Sequence, residues 1–582
     1  MYAIGRRRSL TLLAIACLMS VLDLVGIAII FPFLRVVTEP DFAEKILVHT
    51  GIGVWAPSLM HKQVVGILGV ALVFFYTTKT SIQSFLLRIQ SRLLAQFTAN
   101  QTNDVVSRVL NARYAVFQQT PASEIAGTAY ANTVHASLAL AAIIQAVNEG
   151  LLLILMFLGF IFIQPMLAFG TSLLAILIIL LLYQLVIRRS SKIGQEQTRL
   201  ENIRYRLLFA IASAIRDIKI MGLDSLFDVR NRKVSNDYAE IAWRSSFNNA
   251  LPRLLIEFIA LLAIVGFSMF VIFFDISLNK AGPLLGLIAI ATVRAVPSMS
   301  KLFNAISAFR SSRPAVISLM QLRTRLANEA VLRKDDTLHF QNVIELKNIG
   351  FRYGEKTVLE NVCLQLRRGE SIGIVGPSGS GKTTLLDLFT GLQQATAGQF
   401  ACDGIRFDPF TSHSIQKLIG YVPQTITLLD ETIAFNVSFE EQPDFERVQR
   451  ALAMANLRGL ISSLQDGIQT RVGENGLRLS GGQRQRIGIA RALYRSPEIL
   501  VFDEATSSLD TLSEKELSHE IEKLRGQISV VMVAHRLSTV MACDRIYVLS
   551  NGTIESSGTH SELLQISNTY KKLYANQHAM EN

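Results

Sequence analysis

Eight consecutive residues, Gly376-Pro377-Ser378-Gly379-Ser380-Gly381-Lys382-Thr383, carry the first sign of chemistry in this chain, and Thr384 follows them. Their spacing is GxxxxGK[ST]. Glycines let the backbone wrap so that successive N–H groups point at phosphate oxygens, and a helix opening at Lys382 adds the positive end of its dipole. Lys382 then reaches the β- and γ-phosphates of a nucleoside triphosphate, and the Thr383 hydroxyl can ligate Mg²⁺. A second constellation, Asp503-Glu504, ends the apolar run 499–502. A buried strand there delivers both carboxylates to the sheet edge where ligands bind. Asp503 is suited to hold Mg²⁺, and Glu504 to act as general base on a water attacking the γ-phosphate. A third group, Leu479-Ser480-Gly481-Gly482-Gln483, precedes a helical stretch and makes a second anion-binding helix start. One nucleotide on one domain does not obviously need both.

These groups need a scaffold. Residues 371–375 (SIGIV) and 499–502 (ILVF) read as buried strands, and from Ile344 onward short β-branched runs alternate with helical ones. The first 330 residues differ. The 582-residue chain is 50% hydrophobic and only 18% charged, with a mean hydropathy of +0.34. Soluble domains are about one-quarter charged, so the deficit argues against a wholly soluble protein, and the hydrophobicity excludes a disordered one. Apolar stretches at 9–37, 64–87, 134–163, 166–187, 252–274 and 283–309 are each long enough for a ~30 Å bilayer core. Six spans are therefore expected. Four scattered cysteines offer neither a disulfide framework nor zinc spacing.

Charge sets the orientation. Residues 1–330 hold 31 Lys and Arg against 17 Asp and Glu, and the remainder 26 against 29. A positive excess on the hydrophobic half speaks for cytoplasmic loops, not for nucleic acid. Arg6, Arg7 and Arg8 before the first span, with Arg188, Arg189 and Lys192 after the fourth, put the N-terminus in the cytoplasm. Six crossings return the C-terminal half to the same side. The polar stretches 88–133 and 188–250 exceed what bundle turns need. Their helix-forming composition suggests hairpins running on into the cytoplasm, broken at Thr120-Pro121 and near Met221-Gly222, with tips near 110–119 and 218–229. The expected architecture is an all-α six-helix transmembrane domain (1–325) fused to an α/β P-loop domain (340–582).

In their order along the chain, residues 376–383, Gln424, 479–483, Asp503-Glu504, 507–510 (SSLD) and His535 resemble the nucleotide-binding domain of ABC transporters, a likeness that covers 344–575. That resemblance implies ATP and Mg²⁺, and two domains sandwiching two ATPs, each between one P-loop and the partner's 479–483 segment. It implies that Tyr353 stacks on adenine and that Gln424 senses the γ-phosphate and Mg²⁺. It also implies that His535 clamps the γ-phosphate, that Asp510 meets the partner and that 473–476 (GENG) feels the partner's helix tips. Six spans ahead of one such domain resemble type IV ABC exporters in half-transporter form, multi-pass in the cell inner membrane. Every catalytic position is intact, so a homodimer is the economical expectation.

Cargo is less well specified. Lys79, Arg253, Arg294 and Lys301 lie in or near the spans, opposed by Asp23 and Glu257. Intramembrane charges default to function or pairing. They are either interhelical pairs, snorkelling side chains, or a positively charged cavity suited to a phosphate-bearing cargo. Segments 21–32 (VLDLVGIAIIFP), 251–257 (LPRLLIE) and 293–301 (VRAVPSMSK) resemble those of PglK-type flippases, which move polyprenyl-diphosphate-linked oligosaccharides. The resemblance implies a basic belt of Lys79, Arg253, Arg294 and Lys301 facing the pyrophosphate. Lys301 stands where arginine is expected, which keeps the charge and loses a bidentate grip. Segment 40–50 could be an external helix touching the lipid tail, or an ordinary interfacial turn. The alternative cargo is a lipid, peptide or drug carried by the same architecture.

Overall fold

The computed structural model describes residues 6–38, 61–163, 188–273, 278–331, 333–334, 336–504, 526–534 and 536–581, together with 180, 182, 184 and 186. They form two compact units that divide after Glu329, with Arg113–Ala115 grouping with the second.

The first unit is helical: α1 (Arg6–Thr38), α2 (His61–Asn111), α3 (Thr133–Ile163), α4 (Arg188–Ser213), α5 (Asp224–Phe273) and α6 (Leu278–Asn328). Among the described residues, four stretches are long and apolar enough to cross a membrane: Arg7–Ile30, Val65–Asn111, Ala122–Gly159 and Asp224–Gly266. They overlap the expected first, second, third and fifth spans. The fourth, 166–187, falls almost wholly outside the described residues, as does segment 40–50, and the sixth lies within α6. Val70 and Phe74 of α2 are 72% and 74% exposed, which lipid tolerates and water penalises. With 51 residues, α2 runs ~77 Å, over twice the bilayer core, so its polar half stands in water.

The hairpin breaks follow local chemistry. Pro121 (φ −57°) caps the helix Ala122–Gly127. Gly222 (φ +64°) ends the helix Ile215–Ile220, where Leu223 N–H donates to Ile218 O (3.0 Å) and Gly222 N–H to Lys219 O (3.3 Å). This is a Schellman motif with glycine in the left-handed position. Each hairpin has a further break that the sequence does not announce, between Asn111 and Tyr114 and at Ala214. A π-helical turn, Thr128–Asn132, leads into α3. α4 and α6 approach closely: a Cβ on Gly194 would lie 2.2 Å from Ser311 O. Ser190 Oγ meets Ser307 Oγ (2.8 Å) and accepts from Asn248 Nδ2 (2.9 Å). Small and hydroxylated side chains let these helices meet without bulk.

The second unit is α/β. Strands β1 (Val343–Tyr353), β2 (Lys356–Arg367), β4 (Ala397–Cys402) and β5 (Ile405–Phe407) make an antiparallel sheet in the order β2-β1-β4-β5. Strands β3 (Ser371–Val375), β6 (Ile419–Val422), β7 (Ile499–Asp503), β8 (Ser529–Val533), β9 (Arg545–Ser550) and β10 (Thr553–Gly558) make the other, in the order β10-β9-β3-β8-β7-β6. Its five strands from β9 to β6 are parallel. β3 and β7 are buried along their whole length, as runs covered on both faces must be. Both end at the same edge, one strand apart.

Candidate functional site

β3 runs into residues 376–381 and then helix α7 (Lys382–Phe389). Two glycines are sterically required. A Cβ on Gly376 would sit 2.0 Å from Leu549 O, and Gly381 holds φ +104° with Leu359 Cδ2 only 2.7 Å from the Cβ position. α7 has no side-chain cap; its first internal bond runs from Leu385 N–H to Gly381 O (2.9 Å). Its leading amides are therefore open to an anion. The Ser380 hydroxyl is buried with no partner, and Lys382 Nζ, itself buried, donates to the carbonyls of Gly376 (2.9 Å) and Pro377 (3.0 Å). Burial pulls the Lys382 pKa below its ordinary value, opposed by the Glu504 carboxylate. Open amides, an orphaned hydroxyl and a folded-back ammonium fit a polyphosphate.

The acidic side of the site is built by β6 and β7. Asp503 closes β7 and accepts from Tyr421 Oη (3.0 Å). Burial raises its pKa, against that bond. Asp387 of α7 is pushed up to about 6 by burial and by the Asp503 charge. The Asp503 carboxylate, the Thr383 hydroxyl at the start of α7 and the amide oxygen of Gln424, whose Nε2 is bound to Glu504, are hard oxygen donors of the kind that fits Mg²⁺. Glu504 follows in the left-handed region (φ +49°), its N–H bonded to Val533 O (2.9 Å) and its Oε2 accepting from Gln424 Nε2 (2.7 Å). A non-glycine residue there costs roughly 1–3 kcal/mol and is retained where geometry matters more than stability. Tyr421 and Asp387 were not legible as site residues. For Asp387 one signal was available: it lies four residues after Thr383, on the same helix face.

The third group opens helix α8 (Gly481–Tyr494). Ser480 caps it. Its Oγ accepts from Gln483 N–H (3.2 Å) while Gln483 Oε1 accepts from Ser480 N–H (2.8 Å). This capping box occupies the serine and glutamine within the chain. What stays open is the space beside Gly481, where a Cβ would meet nothing within 4 Å. Gly476 is crowded instead, with Leu428 and Arg484 at 2.8 and 3.0 Å from its Cβ position. Tyr353 is exposed and packs edge-on to Phe351 (4.8 Å). His535 and residues 507–510 lie outside the described residues.

Residues 359–507 match the family described as "ABC transporter". The fold is similar to "Structure of a bacterial Atm1-family ABC exporter with ATP bound", with a TM-score of 0.78 over 98% of this chain and 99% of that one, at 21% identity. The chain has the ABC-exporter fold and carries an ABC transporter nucleotide-binding domain. Curated relatives include the "ATP-dependent lipid A-core flippase" of Cupriavidus pinatubonensis, 39% identical over 272 residues, 45% of this chain and 46% of that one. The protein of the same description from Burkholderia orbicola is 41% identical over 240 residues, 41% and 40% of the two chains. These matches span less than half of the relatives' length.

In the helical unit of this ABC-exporter fold the four expected belt cations all have carboxylate partners. Lys79 (2.8 Å) and Arg294 (2.5 Å) share Asp23, which also accepts from Gln83 Nε2 (3.0 Å). Lys301 faces Glu149 of α3 at 3.6 Å. Arg253 bonds Glu257 one turn along α5 (2.7 Å). The structure thus brings Lys79 and Arg294 to one acid, while Lys301 and Arg253 meet others.

Proposed function

We propose that this chain is an ATP-driven half-transporter that works as a homodimer in the cell inner membrane and flips a phosphate-bearing glycolipid. The observation that carries the reading is the Gln424–Glu504 pair, held at the end of β7 beside the P-loop. A carboxylate whose direction is fixed by that bond supports a role for Glu504 in activating a hydrolytic water.

Residues 376–384 bind the phosphates through backbone amides and Lys382. Thr383, Asp503 and Gln424 would hold Mg²⁺, which when bound would neutralise charge on the phosphates. Glu504 accepts the proton of the attacking water, and Gln424 orients that carboxylate. His535 contacts the γ-phosphate, and Tyr353 offers its exposed ring to the base. The open amides of Gly481 and Gly482 serve the nucleotide bound by a second copy, which explains two phosphate cradles on one chain. Nucleotide-driven closure passes through the hairpin tips to the helical unit, and hydrolysis resets it.

Two chemistries converge on the cargo. The resemblance of 251–257 and 293–301 supports a polyprenyl-diphosphate-linked oligosaccharide; the curated relatives' description supports a lipid A-core glycolipid. Both carry phosphorylated sugars on a lipid, and the cations of α2, α5 and α6 suit either. ATPase stimulation in nanodiscs tests this against neutral lipids, drugs and peptides. Stimulation by phosphorylated glycolipids alone supports the reading; stimulation by a peptide or drug alone overturns it.

A further inference from the structure

The Asp23 cluster holds more than a pair. One carboxylate on α1 bridges Lys79 and Gln83, one turn apart on α2, and Arg294 on α6. Lys79 is 9% exposed, its ammonium lies 5.2 Å from the Tyr76 ring centre, and Tyr76 Oη donates to Gly26 O (3.0 Å). The site is shaped around that ammonium: a Cβ on Gly26 would fall 2.9 Å from Lys79 Nζ.

Stability does not explain such a cluster. Apolar residues of similar volume are generally as stable as a buried ion group or more so, and charges within spans are costly. The balance is also uneven. Among the described residues two cations share one carboxylate, which leaves a residual positive charge. A phosphate monoester carries about −1.5 to −2 and presents several acceptor oxygens, matching a lysine and a forked arginine together better than one carboxylate does. Asp23 moreover ties three helices through a single group. Lys301, seven residues after Arg294 and so on the same face of α6 about 10.5 Å along, faces Glu149 in the same fashion.

We propose that Asp23 is a resident counter-anion and latch. A phosphate or diphosphate lipid headgroup takes Lys79 and Arg294 from it, and this exchange frees α1 from α2 and α6. The inference rests on the phosphorylated-cargo reading for the identity of the displacing group; the latch itself rests on the three-helix bridge. Cargo binding is thereby coupled to helix movement, and the membrane never faces two bare cations between cycles.

The test uses the full chain in nanodiscs of one zwitterionic lipid. ATPase is measured alone, with geranylgeranyl diphosphate, with lipid A, and with geranylgeraniol as the uncharged control. Wild type should respond to one or both phosphorylated lipids and not to the alcohol; which one responds separates the diphosphate source from the glycolipid phosphate. Asp23→Asn should raise the basal rate about fivefold or more, the low end of ordinary coupling between sites, and leave little further stimulation. Asp23→Glu, which keeps the anion, should retain the wild-type pattern. Should Asp23→Asn fail to fold, D23N/K79Q keeps the cluster's net charge unchanged and must show the same raised basal rate. A basal rate equal to wild type in the folded variant overturns the latch, whatever the lipids do. A wild-type rate unmoved by both phosphorylated lipids overturns the cargo reading and the displacement with it.

Discussion

Replacing Gly481 by alanine separates what the chain needs to fold from what a second copy needs to use it. Gly481 opens α8 without a positive φ, and its Cβ position has no neighbour within 4 Å. Within one chain the substitution removes backbone freedom from the unfolded state and should stabilise by about 0.4–1 kcal/mol. For a domain of this size that is roughly 2–4 °C in Tm per kcal/mol. Across the seam, the added methyl holds a nucleotide away from the amides of Gly481 and Gly482. Losing one charge-assisted hydrogen bond there costs about 1.5–3 kcal/mol, or about 10- to 150-fold in kcat/KM. The assay is steady-state ATPase in nanodiscs, with a fluorescent ATP analogue reporting P-loop affinity and a thermal melt reporting stability. The expected result is an unchanged or higher Tm, unchanged P-loop affinity and hydrolysis down by that factor. Hydrolysis at the wild-type rate would refute the shared cradle. A Tm lowered by several degrees would refute the claim that the space beside Gly481 is open within the chain.

Three further outcomes follow from local geometry. Glu504→Gln removes the base but keeps the Gln424 contact, so it should bind ATP and lose at least about 10²-fold in turnover; brisk hydrolysis would contradict the assignment. Gly194→Val forces a side chain against the Ser311 backbone and should destabilise the helical unit by at least about 1–3 kcal/mol, read as a lowered melting midpoint in detergent. Asp403 accepts from the N–H groups of Gln341 (2.6 Å), Asn342 (2.8 Å) and Val343 (2.7 Å). Burial works against its charge, yet those three bonds and Arg368 hold its carboxyl below the usual carboxylate range. A depressed folded value means its stabilisation is complete above the unfolded value near about 4 and disappears as pH falls through the folded one. Asp403→Asn should lower stability at neutral pH by about 1–3 kcal/mol and flatten the acid limb of a melt-versus-pH series.

What the sequence displayed, and what it hid, has a physical pattern. The P-loop, the end of β7 and the start of α8 were readable because each is a contiguous segment whose backbone geometry is written into its glycines and apolar runs. Tyr421 was not, because it reaches Asp503 from a neighbouring strand through pairing that no local spacing encodes, and Asp387 offered only its four-residue spacing from Thr383. Gly222 and Pro121 announced their breaks; Ala214 and the π turn at 128–132 carry no residue that demands one. The belt cations were visible as anomalous charges in apolar runs. Their sharing of Asp23 needed three helices in register, since residues 23, 79 and 294 are far apart along the chain.

The most direct measurement is native mass spectrometry of the Glu504→Gln protein in nanodiscs with Mg²⁺ and ATP. Two chains holding two nucleotides are the expected species, and Gly481→Ala in the same background should shed the partner while each chain keeps its P-loop nucleotide. A single chain per disc, whose wild-type counterpart still hydrolyses ATP at full rate, would contradict the account.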